Sequence, residues 1–191
     1  MNTPAHAVIN LLLLTRKPGH NNSHQRSAAI IAGALLPDLV IIVFYAWHLL
    51  LGTPEFQIWS VEYYRPTWQA WIDSFNSIPL IGLAMLISGK IRHYLLLAFF
   101  SSMLLHAFGD LPLHQDDAHR HFFPLSDWRF ASPVSYWDPA HHGHWASLIE
   151  FTSVIAAASF MYWRFALLRP WVAATTVIYL LYWIYVFSVW A

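Results

Sequence analysis

Cysteine is absent from the 191 residues, which excludes disulfides and thiolate ligands. Any metal site must then be built from imidazole and carboxylate. Charge is scarce as well. Only 10% of the residues are Asp, Glu, Lys or Arg, against roughly 25% in a soluble domain. Ten basic and ten acidic side chains cannot clothe a water-soluble globule that is 58% hydrophobic and 17% aromatic. Something other than water must solvate part of this chain. The balance of charge carries no basic excess, so nucleic acid is not expected among its partners. No glycine-rich loop is placed to cradle phosphate. No two histidines have the spacing of the helical metalloprotease motif with its glutamate.

What the chain does have is long apolar runs. A membrane span needs about 20 predominantly apolar residues. Segments 28–51, 71–88, 94–109, 146–163 and 170–191 read as five such helices, the second and third joined by the basic turn Gly89-Lys90-Ile91-Arg92-His93. A sixth run, 4–14, is too short to span comfortably. Thr3 offers it an N-cap and Pro4 sits at its first helical position, so it reads as a short or re-entrant helix packed on the others. The expected fold is all-α: a polytopic transmembrane bundle of five to six helices in a single domain, 1–191, with a His/Asp-rich outer loop over 112–145.

With six segments, Arg16, Lys17, Arg26, Lys90, Arg92, Arg164 and Arg169 fall on one side, assigned to the cytoplasm by the bias of short basic loops. Arg65, Arg120 and Arg129 fall on the other. Positive charge follows the first apolar run rather than preceding it, so a cleaved signal peptide is not expected and the N-terminus should be retained. Tryptophans gather near the ends of the runs (Trp47, Trp59, Trp68, Trp71, Trp163, Trp171 and Trp190), as interfacial anchors do. The bilayer is therefore the first expected partner.

Histidine is the second surplus. Seven of the twelve lie between His106 and His144, together with Asp110, Asp116, Asp117, Asp127 and Asp138. His106 and Asp110 are four apart at the end of an apolar helix and so project from one face. His114 repeats the spacing, although Pro112 cannot continue a regular helix, which puts His114 on the first turn beyond. An imidazole and a carboxylate one turn apart can grip one divalent ion; the same spacing also makes a plain histidine–aspartate hydrogen bond. The neighbouring run Asp116-Asp117-Ala118-His119-Arg120-His121 tilts the balance to metal.

Asp38 lies about ten residues into an apolar segment, where an ionisable group is costly and normally faces a partner or a water-filled cavity. Pro37 just before it is read as breaking the helix, so that Asp38 opens a new first turn. A kink stabilised by a protonated aspartate is the other reading. Glu150, near the start of its helix and after His141, His142 and His144, should by the same cost argument face the cluster. His20, His24, His48 and His93 read as loop or interface histidines. Segment 132–139 carries two prolines and aromatics and reads as an ordered extended loop, a lid over the site or a cover for helix ends. Ser135 within it has no activating arrangement of a nucleophile.

Thr3-Pro4-Ala5-His6, the turn Gly33-Ala34-Leu35-Leu36-Pro37-Asp38 and the later histidine-rich helix ends resemble the bacterial family described as membrane-bound, metal-dependent hydrolases. The likeness runs over most of the chain. More distantly, His106-x-x-x-Asp110 followed by His114 is similar to the pattern of zinc-dependent phospholipase C and its single-strand nuclease relatives. That resemblance implies His6, Asp38, His106, Asp110 and His114 as direct metal ligands. Those enzymes carry a histidine followed four residues later by an acid, whereas here Glu150 is preceded at that distance by Ala146, which puts a third metal in doubt.

Two functional classes follow. The leading expectation is a hydrolase of the bacterial inner membrane, acting on a phosphoester or lipid-like substrate at the outer interface. His106, Asp110, His114 and Asp38 would bind one or two divalent ions, with zinc favoured. Asp117, His119 or Glu150 would serve as general base or complete the coordination. The alternative is a non-enzymatic accessory subunit of a larger membrane complex, with a structural metal or a partner packed on the His/Asp region. Metal or proton transport needs polar residues along several helices, and Asp38 and Glu150 are too few for it.

Overall fold

In the computed structural model, residues 1–15 and 23–190 are described; Arg16, Lys17 and His20, and the side chain of Trp190, lie outside them. The described residues are all helix and loop, with no strand among them. Helix α1 (Thr3–Leu14) is followed by the long α2 (Ser23–Leu50). A short α3 (Glu55–Gln57) runs into a π-helical turn at Ile58–Glu62. Then come α4 (Pro66–Phe75), α5 (Ile78–Lys90), α6 (Tyr94–Asp110), an extended loop, α7 (Gly143–Arg164) and α8 (Arg169–Trp190).

Three stretches are long and apolar enough to cross a membrane: His24–Leu50, Gly143–Arg164 and Ala166–Val186. The pair α4 and α5, bent by 41°, makes a fourth if it is one broken span. That is fewer than the five to six expected, and the reasons are local. The 17 residues of α6 reach only about 26 Å at 1.5 Å per residue, short of the ~30 Å hydrocarbon core, and α1 is shorter still. The run 71–88 is cut in two because Ser77 caps α5. Its hydroxyl accepts from Leu80 N at 3.2 Å, Pro79 sits in the first turn, and Asn76 ends α4. With three or four spans, the sidedness of the basic residues no longer follows from counting six.

Pro37 does not break its helix either. Helix α2 is continuous from Ser23 to Leu50 with Pro37 inside it, so Asp38 does not open a new turn. Neighbouring helices can satisfy the backbone around an interior proline. Here α6 binds two carbonyls just upstream: Ser102 Oγ donates to Ile30 O at 2.6 Å, and His106 Nδ1 lies 2.7 Å from Ala34 O. Gly33 allows the approach. A Cβ there would stand 2.1 Å from Phe99 O on α6.

The core is built around the shortest of the main helices but one. Ala5, Val8 and Leu11 of α1 are fully buried and pack with Ile30, Ala98, Val154 and Tyr179 of its four neighbours, α2, α6, α7 and α8. Helix α1 therefore needs no length of its own to be held in an apolar interior. The outer faces are apolar too: Ile42 and Trp47 on α2, Leu86 on α5, Phe160 on α7 and Ile184 on α8 are all more than half exposed. Soluble monomers rarely expose contiguous apolar surface on this scale. The arrangement is compatible with a membrane protein.

Candidate metal centre

Three helices meet along a polar seam inside this apolar bundle. On α6 the seam is Ser102, His106 and Asp110, four apart and so on one face. On α1 it is His6 and Asn10, with Asn2 just before the helix. On α2 it is the carbonyls of Ile30 and Ala34, then the side chain of Asp38. Asn10 Nδ2 donates to both the carbonyl and the hydroxyl oxygen of Ser102, at 2.9 Å each. These bonds fix the rotation of α1 against α6. Gly109 lets the His6 ring lie flat on α6, where a Cβ would meet its Cε1 at 3.3 Å.

Asp110 stands at the end of the seam with its carboxylate fully enclosed. His6 Nε2 is 2.9 Å from Oδ1 and His106 Nε2 is 2.9 Å from Oδ2. The two imidazoles stack with centroids 3.7 Å apart and planes inclined by 17°, so both Nε2 atoms face the same carboxylate side by side. His114 Nε2 approaches Oδ1 to 3.6 Å, and Asp38 Oδ1 lies 3.5 Å from His106 Nε2. The Met1 ammonium is 2.6 Å from Asp110 Oδ1. His6, His106 and Asp110 are a buried group that could hold a metal ion, with their ligand atoms all within 4.8 Å of one another.

The tautomers decide what this arrangement can do. The Ala34 carbonyl only accepts, so His106 Nδ1 carries a proton and donates to it. In the neutral ring Nε2 is then a bare lone pair, yet it faces two carboxylates, Asp110 and Asp38. Nε2 is buried and makes no properly aligned hydrogen bond. His114 repeats the pattern. Its Nδ1 lies 2.8 Å from Asp117 Oδ2, which fixes the proton on that side, and its buried Nε2 also lacks a hydrogen-bond partner. Two carboxylates, Asp38 and Asp110, are set against the Met1 ammonium and three imidazoles, which can answer them as protonated rings or as ligands around one ion. Nitrogen lone pairs and carboxylate oxygens directed at one point are the donor set of a divalent ion. A carboxylate behind a ligating imidazole is the usual way such a ring is oriented.

In the loop the carboxylates also favour the protonated His114 ring, so a bound ion would displace a proton there. Burial alone pulls the His114 imidazole down, but the nearby Asp110 carboxylate and the bond to Asp117 outweigh it and raise its pKa to about 9. The site draws positive charge to that ring. Burial and the adjacent His114 hold His119 down at about 4, so it stays neutral at pH 7. Burial also lowers His121. Asp117 is lowered despite burial, by the bond and the charge of His114.

The loop after α6 clamps the His114 turn from outside. Ser132 N donates to His114 O at 2.9 Å, Tyr136 N donates to Leu113 O at 3.0 Å, and the Tyr136 ring packs 5.1 Å from that of His114. Trp137 Nε1 donates to Asp117 Oδ2 at 3.2 Å. Ser135 Oγ accepts from the backbone of Trp137 and Asp138, a turn rather than a nucleophile.

His6, Asp38, His106, Asp110 and His114 are thus brought together, with Asp117 directly behind His114 and the His119 ring 5.3 Å from it. Glu150 goes elsewhere. Its carboxylate accepts from Asn2 N at 2.8 Å, from Asn2 Nδ2 at 2.6 Å and from the Tyr179 hydroxyl at 3.3 Å. It anchors the start of α1, one turn before His6. His24, His48 and His93 serve local contacts with Trp171, Thr53 and the start of α6. Asn2, Asn10 and Ser102 carry the seam without having been singled out in the sequence. The four-residue rhythm Asn2-His6-Asn10 and Ser102-His106-Asp110-His114 was the signal available for them.

No protein family model matches this chain, and no curated protein or solved structure does either.

Proposed function

We propose that the chain is a metal-dependent hydrolase of the bacterial inner membrane, acting on a phosphoester or lipid-like substrate at the outer interface, with zinc at the Asp110 cluster. The observation that carries this reading is His106. Its Nδ1 proton is committed to Ala34 O while its Nε2 faces two carboxylates. His6, Asp38, His106, Asp110 and His114 hold one or two ions. A divalent ion bound there supplies Lewis acidity and an acidified water near neutral pH. Asp117 keeps the His114 ring turned toward Asp110, and neutral His119 beside it accepts a proton. Glu150 holds α1, and through it His6, in register.

The exposure of the ligands bears on the choice between catalysis and structure. Structural sites are closed, whereas catalytic sites keep an open position. His6, His106 and Asp110 are closed off at 0–1% side-chain exposure, but His114 and Asp38 retain 10% and 16%. The cluster has an open edge. The three enclosed ligands equally suit a structural ion in an accessory subunit of a larger complex, the second reading.

Metal analysis of protein purified in mild detergent, beside an Asp110→Ala variant, is the test. Stoichiometric zinc is expected in the native chain and loss of it in the variant; zinc unaffected by the change removes the site. A stable stoichiometric complex that loses activity without this chain but keeps it with His106→Ala favours the subunit instead.

A further inference from the structure

The open edge of the cluster leads somewhere specific. Asp38 lies on the face of α2 that also carries Leu35, three residues before it, and Ile42, four after. Leu35 and Ile42 line a cavity of about 370 Å³, closed by Thr3 and Ala7 of α1 and by Ile178 and Tyr182 of α8. Thr3 and Ala7 flank His6 on its helix. The cavity therefore follows the face of α2 that carries Asp38, although its lining is apolar residues and hydroxyls rather than the ligands themselves.

Its walls are hydrocarbon apart from a few hydroxyls, and it opens sideways. Ile42 and Ile178 line it and are nevertheless 53% and 56% exposed on the outer surface of the bundle. In a chain whose outer helices are apolar enough to cross a membrane, that surface meets lipid. Sites for small molecules span roughly 300–1,000 Å³, so this volume suits one slender apolar group and not a folded partner. An occupant entering from the side must be apolar along its length.

We propose that this groove holds one acyl chain of a bilayer phospholipid, entering laterally between α2 and α8. The proposal stands on the groove and is independent of the metal-centre reading.

The test uses the full chain in nanodiscs of phosphatidylethanolamine and phosphatidylglycerol, doped with a phosphatidylethanolamine carrying a diazirine on one acyl chain. Photolabelling is mapped by peptide mass spectrometry, with zinc measured on the same samples. Labelling at Ile178 and Tyr182 should exceed that at Leu86, which is 74% exposed on α5 and lies outside the groove lining. Leu35→Trp, which fills the groove, should cut the Ile178 label about tenfold, the effect of roughly 1.4 kcal/mol in affinity, and leave Leu86 and zinc unchanged. Thr175→Phe fills the same groove from α8 and serves if the first variant fails to fold. Groove labelling no stronger than at Leu86, or undiminished in both variants, overturns the proposal. Native protein without zinc but with selective labelling overturns the metal centre alone; zinc with unselective labelling overturns the groove alone.

Discussion

Asp110 and Asp73 are equally hidden from solvent, at 1% and 0% side-chain exposure, and differ in what surrounds them. Around Asp73 on α4 the cations are permanent. Arg120 donates to Oδ1 through its backbone N at 3.0 Å and to Oδ2 through Nε at 2.5 Å. Arg129, held by Gln69 Oε1 at 2.7 Å, brings its guanidinium to 3.7 Å. Every lone pair that matters has a proton facing it, and an arginine cannot give that proton up. Around Asp110 the Met1 ammonium is joined by imidazoles, two of which have already committed their Nδ1 protons elsewhere, and by a second carboxylate, Asp38. Burial of a charge is tolerable when it is paired and hydrogen-bonded. Asp73 satisfies that with the chain's own atoms. Asp110 does so with groups that can give their protons up, the Met1 ammonium and the imidazoles, and that could instead share an ion.

The sharpest way to break this contrast is to make the same isosteric change in both places. Asp110→Asn should strip stoichiometric zinc from the purified protein and leave the fold largely in place, because α1, α2 and α6 still meet through Asn10, Ser102 and the Ala34 carbonyl. Asp73→Asn should do the reverse. It leaves two guanidinium groups under-paired and should cost about 3 kcal/mol, the low end for a broken buried ion pair, since Arg120 keeps 17% exposure. Zinc content should not change. Metal analysis and thermal unfolding in detergent, run on both variants, decide it. Zinc lost from the Asp73 variant at temperatures where it remains folded would mean the two carboxylates are not separable as described.

These two regions were not equally legible in the sequence. The Asp110 cluster was visible because its ligands follow helical spacing: His106, Asp110 and His114 are four apart, and that rhythm survives into the turn after α6. His6 and Asp38 lie 104 and 72 residues before Asp110 in chain order, and periodicity alone could not bring them in; the family resemblance supplied His6, and the cost of a charge in an apolar run supplied Asp38. Asp73 escaped notice altogether. Its partners Arg120 and Arg129 come from the outer loop, and pairing between a helix and a distant loop leaves no local pattern. The helical class was plain from the apolar runs. The number of spans was not, because run length says nothing of where a serine cap divides a run, as Ser77 does, or of whether a short apolar helix such as α1 is wrapped by protein. Glu150 shows the same limit. A buried acid must face a partner, and the partners proved to be the backbone and side chain of Asn2 and the Tyr179 hydroxyl.

A smaller effect sharpens the account of the imidazoles. If Asp117 acts by holding the His114 proton on Nδ1, Asp117→Asn should keep the fold and the zinc site but weaken zinc binding about 10–100-fold, the usual loss when the group behind a ligating histidine is removed. Competition with a chelator of known affinity measures it. An unchanged affinity would mean that the clamp from Ser132 and Tyr136 is enough to orient the ring, and that His114 owes nothing to Asp117.

The smallest effect comes from the one carboxylate that reaches Arg120 from outside. Asp127 Oδ1 accepts from Arg120 Nη1 at 2.6 Å, and its side chain is 88% exposed. The same guanidinium thus binds a buried aspartate on one edge and a solvent-facing one on the other. Exposed pairs contribute about 0–1 kcal/mol because water screens the attraction and competes for the same atoms. Asp127→Asn should therefore shift thermal unfolding far less than Asp73→Asn, and its effect should shrink further at high salt. A loss comparable to that of the Asp73 variant would show that Arg120 is held mainly from the loop side, and that burial is not what separates the two ends of this ion pair.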